Sequence, residues 1–243
     1  MEPSPTPPVM RPLFSQIEDL IVQRMTAGEW KPGEPLPSES EFADFYNVSQ
    51  GTVRKAIARL AANNLVERFR GRGTFVASHT VERERSRFFH LLRDDGAKEL
   101  PRSVTISCRR RPATREMGRR LGLGPKAMVA VVERVKIIGR VPRVFETVVV
   151  AEKTFPDLCA AMEQLPSELY PFYEERYGVR VVRAEERLKA VAANDRDAEL
   201  LDVATGTPLL EVDRLAMTYG DIPVEWRRSR CNTEQHFYLS TLF

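Results

Sequence analysis

Hydrophobic positions recur at helical spacing through the first quarter of the chain. Leu13, Ile17, Leu20 and Ile21 form one stripe, which predicts an amphipathic helix ended by Gly28 and Pro32-Gly33. Phe42, Phe45 and Tyr46 form a second stripe. It begins at Ser38, three residues before Glu41, the spacing at which the serine hydroxyl accepts from the Glu41 amide while the carboxylate reaches back to the serine amide. Asn47-Val48 supplies a turn and Ser49 a second N-cap. Val53, Ile57 and Leu60 then predict a helix from Gln50 to about Ala62, packed against the first. A strand from Leu65 to Arg70, Gly71-Arg72-Gly73 and Thr74-Phe75-Val76 read as a hairpin whose glycines permit positive φ. Helices followed by a hairpin are the parts of a winged helix-turn-helix, expected over residues 11–77.

The periodicity then changes. Residues 78–98 mix charges (VERERSR, RDDGAKE) with Phe88-Phe89 and Leu91-Leu92, which predicts a linker that docks through its apolar residues. From about residue 99 to 243 the pattern becomes strands with intervening helices, and it nearly repeats. LGLGPKAMVAVVERVKIIGRVPRVFE and LDVATGTPLLEVDRLAMTYGDIPVE share one layout, with Arg134 and Arg214, Pro142 and Pro223, and Glu146 and Glu225 in like places. Two such hairpins imply a pseudo-symmetric antiparallel sheet. Between them lie helical patterns at Pro156–Leu165 and Ser167–Tyr177, the latter closed by Gly178, and a long strand from Val179 to Ala192. The fold class is α+β.

Composition refines this picture only in places. With 243 residues and 42% hydrophobic content the chain can bury two modest cores, and a net charge of +3 makes any basic character local. Between Ser49 and Val76 six cations (Arg54, Lys55, Arg59, Arg68, Arg70, Arg72) stand against Glu67. Three cysteines, Cys108, Cys159 and Cys231, are odd in number and far apart; they fit neither a disulfide framework nor a zinc site and predict a reducing cytoplasm. No apolar run approaches about 18 residues, and Met1 to Pro8, within an expected disordered tail over 1–10, has no apolar core, so neither a membrane span nor a signal peptide is expected. His79, His90 and His236 share no metal-ligand spacing. No phosphate-binding glycine loop or nucleophile elbow is present, so no metal, cofactor or catalytic residue is expected.

The candidate chemistry is recognition. Gln50, Thr52, Arg54, Lys55 and Arg59 occupy the polar side of their helix. A helix fits the DNA major groove, where arginine reads guanine and glutamine reads adenine, and a cationic hairpin tip suits the minor groove. Gly51 lets the helix end approach a phosphate backbone closely. Farther on, strand alternation puts Arg134 and Lys136 on one face with Val132 and Ile138, where two cations can neutralise a carboxylate or phosphate. Equally, Arg134 can pair with Glu146 or Glu225 only because a buried charge needs an opposite partner. Arg109-Arg110-Arg111 reads as a solvated cationic edge, and the aromatic residues around Phe155 to Tyr177 read as core.

LPSESEFA, NVSQGTVRKAIARL and GRGTFV resemble the winged-helix domain of the GntR family of bacterial transcription factors. That resemblance implies DNA contacts from Ser40, Ser49, Gln50, Gly51, Thr52, Arg54, Arg72 and Gly73. Ser40 and Gln50 stand where arginines are common in the family. Residues 87–243, through ELYPFYEERYGV, ERVKIIGRVP and TPLLEVDRLAMTYGDIPVE, resemble the UTRA effector-binding domain of the HutC subfamily. The second resemblance implies a chorismate-lyase-like antiparallel sheet with helices, dimerisation, and an effector pocket built from Arg134, Lys136, Glu146 and Glu225 with Arg102 and Ser103. Glu168 and Cys231-Asn232 depart from the family pattern there. Together the two resemblances imply a cytoplasmic homodimeric repressor that binds a palindromic double-stranded operator and is controlled by a small polar, anionic metabolite.

Overall fold

The computed structural model describes residues 11–77, 90–96, 99 and 101–240. The expected tail and the Phe88-Phe89 docking residues lie outside that set. The chain divides into two compact units, Met1–Ser78 and His79–Phe243.

In the first unit, α1 (Leu13–Thr26), α2 (Glu39–Tyr46) and α3 (Gln50–Ala62) precede a hairpin of β1 (Val66–Phe69) and β2 (Gly73–Val76). Ile17, Ile21, Phe42, Val53, Ile57 and Leu60 are buried together. Leu20 and Phe45, expected in the apolar stripes, are instead exposed: Ile17, Ile21 and Met25 at i, i+4, i+8 fill the side of α1 that faces the core, and Phe42 and Ala43 fill that of α2. The capping box forms at Ser38, with Glu41 N–H donating to its hydroxyl (3.2 Å) and Ser38 N–H donating to the Glu41 carboxylate (2.8 Å). Ser49 caps α3 by accepting from Thr52 N–H at 3.2 Å. The hairpin turns through Gly71 (φ 73°) and Gly73 (φ 104°), conformations that favour glycine. It is tied to the helices by Leu36 N–H donating to the Thr74 carbonyl at 2.8 Å.

The second unit is built on a six-stranded antiparallel sheet, in the order β4-β5-β6-β9-β8-β7. Its strands are β4 (Arg102–Pro112), β5 (Met128–Ile138), β6 (Val141–Ala151), β7 (Arg183–Ala192), β8 (Pro208–Thr218) and β9 (Ile222–Cys231). Two short helices, α4 (Arg115–Leu121) and α6 (Asp195–Leu201), pack through Leu121 and Leu201 with Trp226, Val149, Phe145 and Leu209. The other face carries a 3-10 turn (Leu158–Gln164) and α5 (Leu169–Tyr177); Tyr170 and Tyr173 of α5, with Phe155 just before the turn, close over Val132, Val148 and Ala216. Farther along that face, Leu91 and Tyr238 from the two-stranded pair β3 (Leu91–Arg93) and β10 (His236–Tyr238) cover Val144 and Val212. Part of the segment expected to be linker is therefore strand. Leu91 needs an apolar partner, and β10 supplies both that partner and the backbone hydrogen bonds.

The internal repeat is a strand-helix-strand-strand unit traversed twice. Thr114 caps α4 and Asn194, eighty residues later, caps α6 in the same way. The register corrects one expected equivalence. Arg134 lies opposite Glu146 on β5 and β6, whereas Arg214 lies opposite Arg227 on β8 and β9. The second hairpin turn, Tyr219–Asp221, is one residue longer than Gly139-Arg140, so the counterpart of Glu146 is Arg227, not Glu225.

The cysteine expectation is also overturned. Cys108 on β4 is disulfide-bonded to Cys159 in the 3-10 turn, with a Cα–Cα distance of 5.2 Å, and Cys231 is a buried free thiol. A sequence separation of 51 says nothing about distance once β5 and β6 fold back along β4. The strand expected from Val179 begins at Arg183.

Candidate nucleic-acid interface and ligand cavity

On the first unit, Ser40 at the start of α2, Ser49 at the cap of α3, Gln50, Gly51 and Arg54 on α3, and Arg72 and Gly73 at the hairpin tip are exposed; Thr52 is half-buried. The end of α3 presents amide donors and the positive end of the helix dipole to an anion. Glu39 on α2 accepts from Arg54 Nε at 2.8 Å and from Arg68 Nη2 at 2.9 Å, so one carboxylate bridges α2, α3 and β1. The Arg54 side chain remains 61% exposed, and an exposed pair of this kind contributes at most about 1 kcal/mol, which a DNA phosphate or guanine can displace. At the tip, the Arg72 guanidinium lies 5.6 Å from the Phe69 ring and 5.9 Å from the Phe75 ring. The two aromatic rings limit where that cation can go.

Gly51 has no packing reason to be glycine. A Cβ built there meets only Ser49 Oγ, at 3.8 Å, and its φ is ordinary. Gly51→Ala is therefore expected to raise the thermal midpoint, since alanine in a helix is favoured by up to about 1 kcal/mol. If the helix end approaches a phosphate backbone, the same change weakens operator binding. Thermal melts and fluorescence anisotropy on one preparation read the two effects with opposite signs.

On the second unit, a small cavity of about 50 Å³ opens on the sheet face beneath β3 and β10. Its polar lining is Lys136, Glu146, Arg214, Arg227 and Ser229; its apolar and aromatic lining is His90, Leu91, Val144, Val212, Cys231 and Tyr238. Directly beneath lies a buried charge network. Arg227 donates to both oxygens of Glu225 at 2.9 Å and stands 3.5 Å from Glu146. Glu225 also accepts from the hydroxyls of Tyr170 (3.2 Å) and Tyr173 (2.9 Å). Arg134, fully buried, is 3.5 Å from Glu146 and donates to the carbonyls of Pro166 and Ser167. Arg214 donates to Glu186 at 2.6 Å, and Lys136 Nζ donates to Ser103 Oγ at 3.1 Å. Among the described residues, four cations, Arg134, Lys136, Arg214 and Arg227, thus meet three carboxylates, Glu146, Glu225 and Glu186, beside open space.

Residues 13–76 match the profile of the bacterial regulatory proteins of the gntR family, and residues 97–236, more than half of the chain, match the UTRA domain. The chain belongs to the GntR family. The family is one of DNA-binding transcriptional regulators rather than enzymes. The chain is 28% identical over 204 residues to the HTH-type transcriptional repressor NagR of Bacillus subtilis, covering 84% of this chain and 83% of that one. It is likewise 28% identical over 233 residues to the mannosyl-D-glycerate transport/metabolism system repressor MngR of Escherichia coli, covering 93% and 94%. Its fold matches the crystal structure of the ligand-binding domain of a GntR-family regulator from Bordetella bronchiseptica, with a TM-score of 0.62 at 34% identity over 65% of this chain and 98% of that one.

Within this GntR protein's UTRA domain, the sequence-predicted residues separate by depth. Lys136 and Glu146 line the cavity, and Ser103 holds Lys136 from the neighbouring strand. Arg134 and Glu225 lie behind the lining, where they position the Pro166-Ser167 backbone and Arg227 respectively. Arg102 is exposed at the start of the edge strand β4, and no contact joins it to the cavity among the described residues. Sequence reasoning passed over Arg227 and Ser229, and it noted Arg214 only as a repeat position. The signal was present: alternation along VEWRRSRC puts Glu225, Arg227, Ser229 and Cys231 on one face.

Burial pushes the Glu146 carboxyl up, but Lys136, Arg227, Arg134 and Arg214 together outweigh it and hold the carboxyl at about 2, below its ordinary 4.5. Burial raises the Cys231 thiol to about 12, so it stays protonated. A carboxyl whose folded value is depressed contributes stability above pH 4.5 and loses it as the pH falls toward about 2. At about 1.36 kcal/mol per unit, Glu146 contributes roughly 3 kcal/mol. Urea unfolding of wild type from pH 6 to pH 3 is expected to show that decline, and Glu146→Gln to show a shallower one.

Proposed function

We propose that this protein is a metabolite-controlled repressor acting in the cytoplasm as a homodimer. Two copies of α3 enter successive major grooves of a palindromic operator, with half-sites about one helical turn apart, roughly 34 Å. Gln50, Thr52 and Arg54 face base edges, Ser40, Ser49 and Gly51 lie against phosphates, and Arg72 and Gly73 reach the minor groove. A small anionic metabolite binds over Lys136, Arg214 and Arg227 and changes operator affinity; a coupling of about 1 to 3 kcal/mol corresponds to roughly 5- to 150-fold. The observation that carries the anionic reading is that, among the described residues, four buried cations stand against three carboxylates beside this cavity. An anion there supplies the charge that the three carboxylates do not, and the surrounding low dielectric strengthens the attraction. The repressor reading is supported by the similarity to NagR and MngR, both repressors.

The test is a fluorescence-anisotropy titration of DNA upstream of the protein's own and adjacent genes, repeated with candidate organic acids and phosphates. Specific binding shifted at least about tenfold, roughly 1.4 kcal/mol, by one anion is the expected result. Calorimetry showing tight binding of neutral apolar compounds alone would overturn the anionic class.

A further inference from the structure

We propose that Cys108 and Cys159 form a reversible thiol–disulfide site that controls how firmly the wall of the ligand cavity is held. The two lie on different elements, β4 and the 3-10 turn, with Cα atoms 5.2 Å apart, inside the range of about 4.4–6.8 Å that a disulfide spans. Both residues are half-buried rather than sealed in the core. Cys159 lines a second hollow, of about 150 Å³, together with Arg110, Glu152 and Asp157, which gives an attacking thiolate a way in on the Cys159 side. A regulator that binds DNA in the cytoplasm works among dithiols that keep most cysteines reduced, where a closable pair is characteristically transient and redox-sensing.

The connection to the cavity runs through the backbone after the turn. The segment from Leu158 to Ser167 is joined to β4 at two places, covalently at Cys159–Cys108 and by hydrogen bonds at Ser167–Ser103. There Ser103 N–H donates to Ser167 Oγ at 3.0 Å and Ser103 Oγ donates to the Ser167 carbonyl at 3.3 Å. Ser103 Oγ in turn accepts from Lys136, a cavity residue, and the Ser167 carbonyl accepts from Arg134, the partner of Glu146. Opening the disulfide removes the covalent attachment and leaves the segment to the hydrogen bonds from Ser103 and Arg134 and to the packing of Leu158.

The exchange balances as a two-electron transfer. A dithiol's thiolate attacks Cys159 Sγ, the Cys108–Cys159 bond breaks, and Cys108 leaves as thiolate and takes a proton. The second thiol of the dithiol then displaces Cys159 as a thiol, and the reagent departs as a disulfide, having supplied two electrons and two protons. Oxidised glutathione drives the reverse reaction and is itself reduced to thiol.

The test uses the full chain equilibrated in oxidised glutathione or in dithiothreitol without denaturant. Alkylation after quenching is expected to find one thiol in the oxidised chain and three in the reduced one, while the circular dichroism of both stays that of the folded protein. In the reduced chain, amide hydrogens of residues 158–168 and 103–105 are expected to exchange at least about tenfold faster. Cys108→Ser and Cys159→Ser are each expected to show the fast pattern in both buffers; the chemically reduced wild type decides the matter if either variant folds poorly. Three free thiols in oxidised glutathione, a bond that survives dithiothreitol in the folded chain, or equal exchange in the two states would overturn the proposal.

Discussion

Arg227→Ala is expected to lower the unfolding free energy by about 3–5 kcal/mol, the characteristic cost of removing one partner from a buried ion pair. Arg227 is the hub of the network beneath the cavity. Its guanidinium satisfies both oxygens of Glu225 and lies 3.5 Å from Glu146, and all three side chains are buried. Burial alone would lower the guanidinium's pKa, but Glu225 and Glu146 hold it well above its ordinary value, so it carries its charge at any working pH. Truncation leaves two carboxylates out of water with one fewer cation. Glu225→Gln placed in the same chain is expected to restore part of the loss, because the amide keeps a carbonyl for Tyr170 or Tyr173 without the charge. Urea unfolding of the two variants, with the denaturant slope checked against wild type, measures both effects. A loss below about 1 kcal/mol for Arg227→Ala would mean that the network relaxes or takes up water, and would remove the four cations against three carboxylates as an argument for an anionic ligand.

Arg54→Ala is expected to weaken operator binding by about 1–3 kcal/mol, roughly 5- to 150-fold, with a loss concentrated on operators that keep a guanine at the contacted position. Folding should change little, because the Arg54 side chain is 61% exposed and its ion pair is the exposed one with Glu39. Glu39→Gln tests the same surface from the other side. It releases Arg54 and Arg68 from a shared carboxylate and is expected to strengthen binding to any duplex, with a steeper dependence on salt. Arg72→Ala should weaken all sequences more evenly. Equal operator affinity in wild type and Arg54→Ala would remove α3 as the reading element.

The first unit was legible from sequence because its determinants are local. A capping box spans four residues, an N-cap four, and a hairpin turn three, and each formed where Ser38, Ser49 and Gly71 to Gly73 predicted. What the local pattern misjudged there was depth. Leu20 and Phe45 continue their stripes in sequence but project past the edge of a core only three helices wide.

In the second unit, strand alternation showed which residues share a face, and so placed Arg134 with Lys136. It could not say which of them reaches open space, because that depends on the elements laid across the face. The Leu169–Tyr177 helix covers the end with Glu225, and the pair of Leu91–Arg93 and His236–Tyr238 roofs the end with Arg214, Arg227 and Lys136. The roof joins segments more than 140 residues apart, and neither short run carries a strong strand signal alone.

The sequence by itself determined the order of elements, the helix starts and turns, the family, and the polarity of each face, since all of these follow from interactions within a few residues or from motifs. Tertiary structure decided that Arg227 rather than Glu225 is the counterpart of Glu146, that Cys108 meets Cys159, and which charged side chains border the cavity. Those outcomes depend on register and on contacts across long sequence separations, and a single added residue in the Tyr219–Asp221 turn was enough to shift which side chains stand opposite one another.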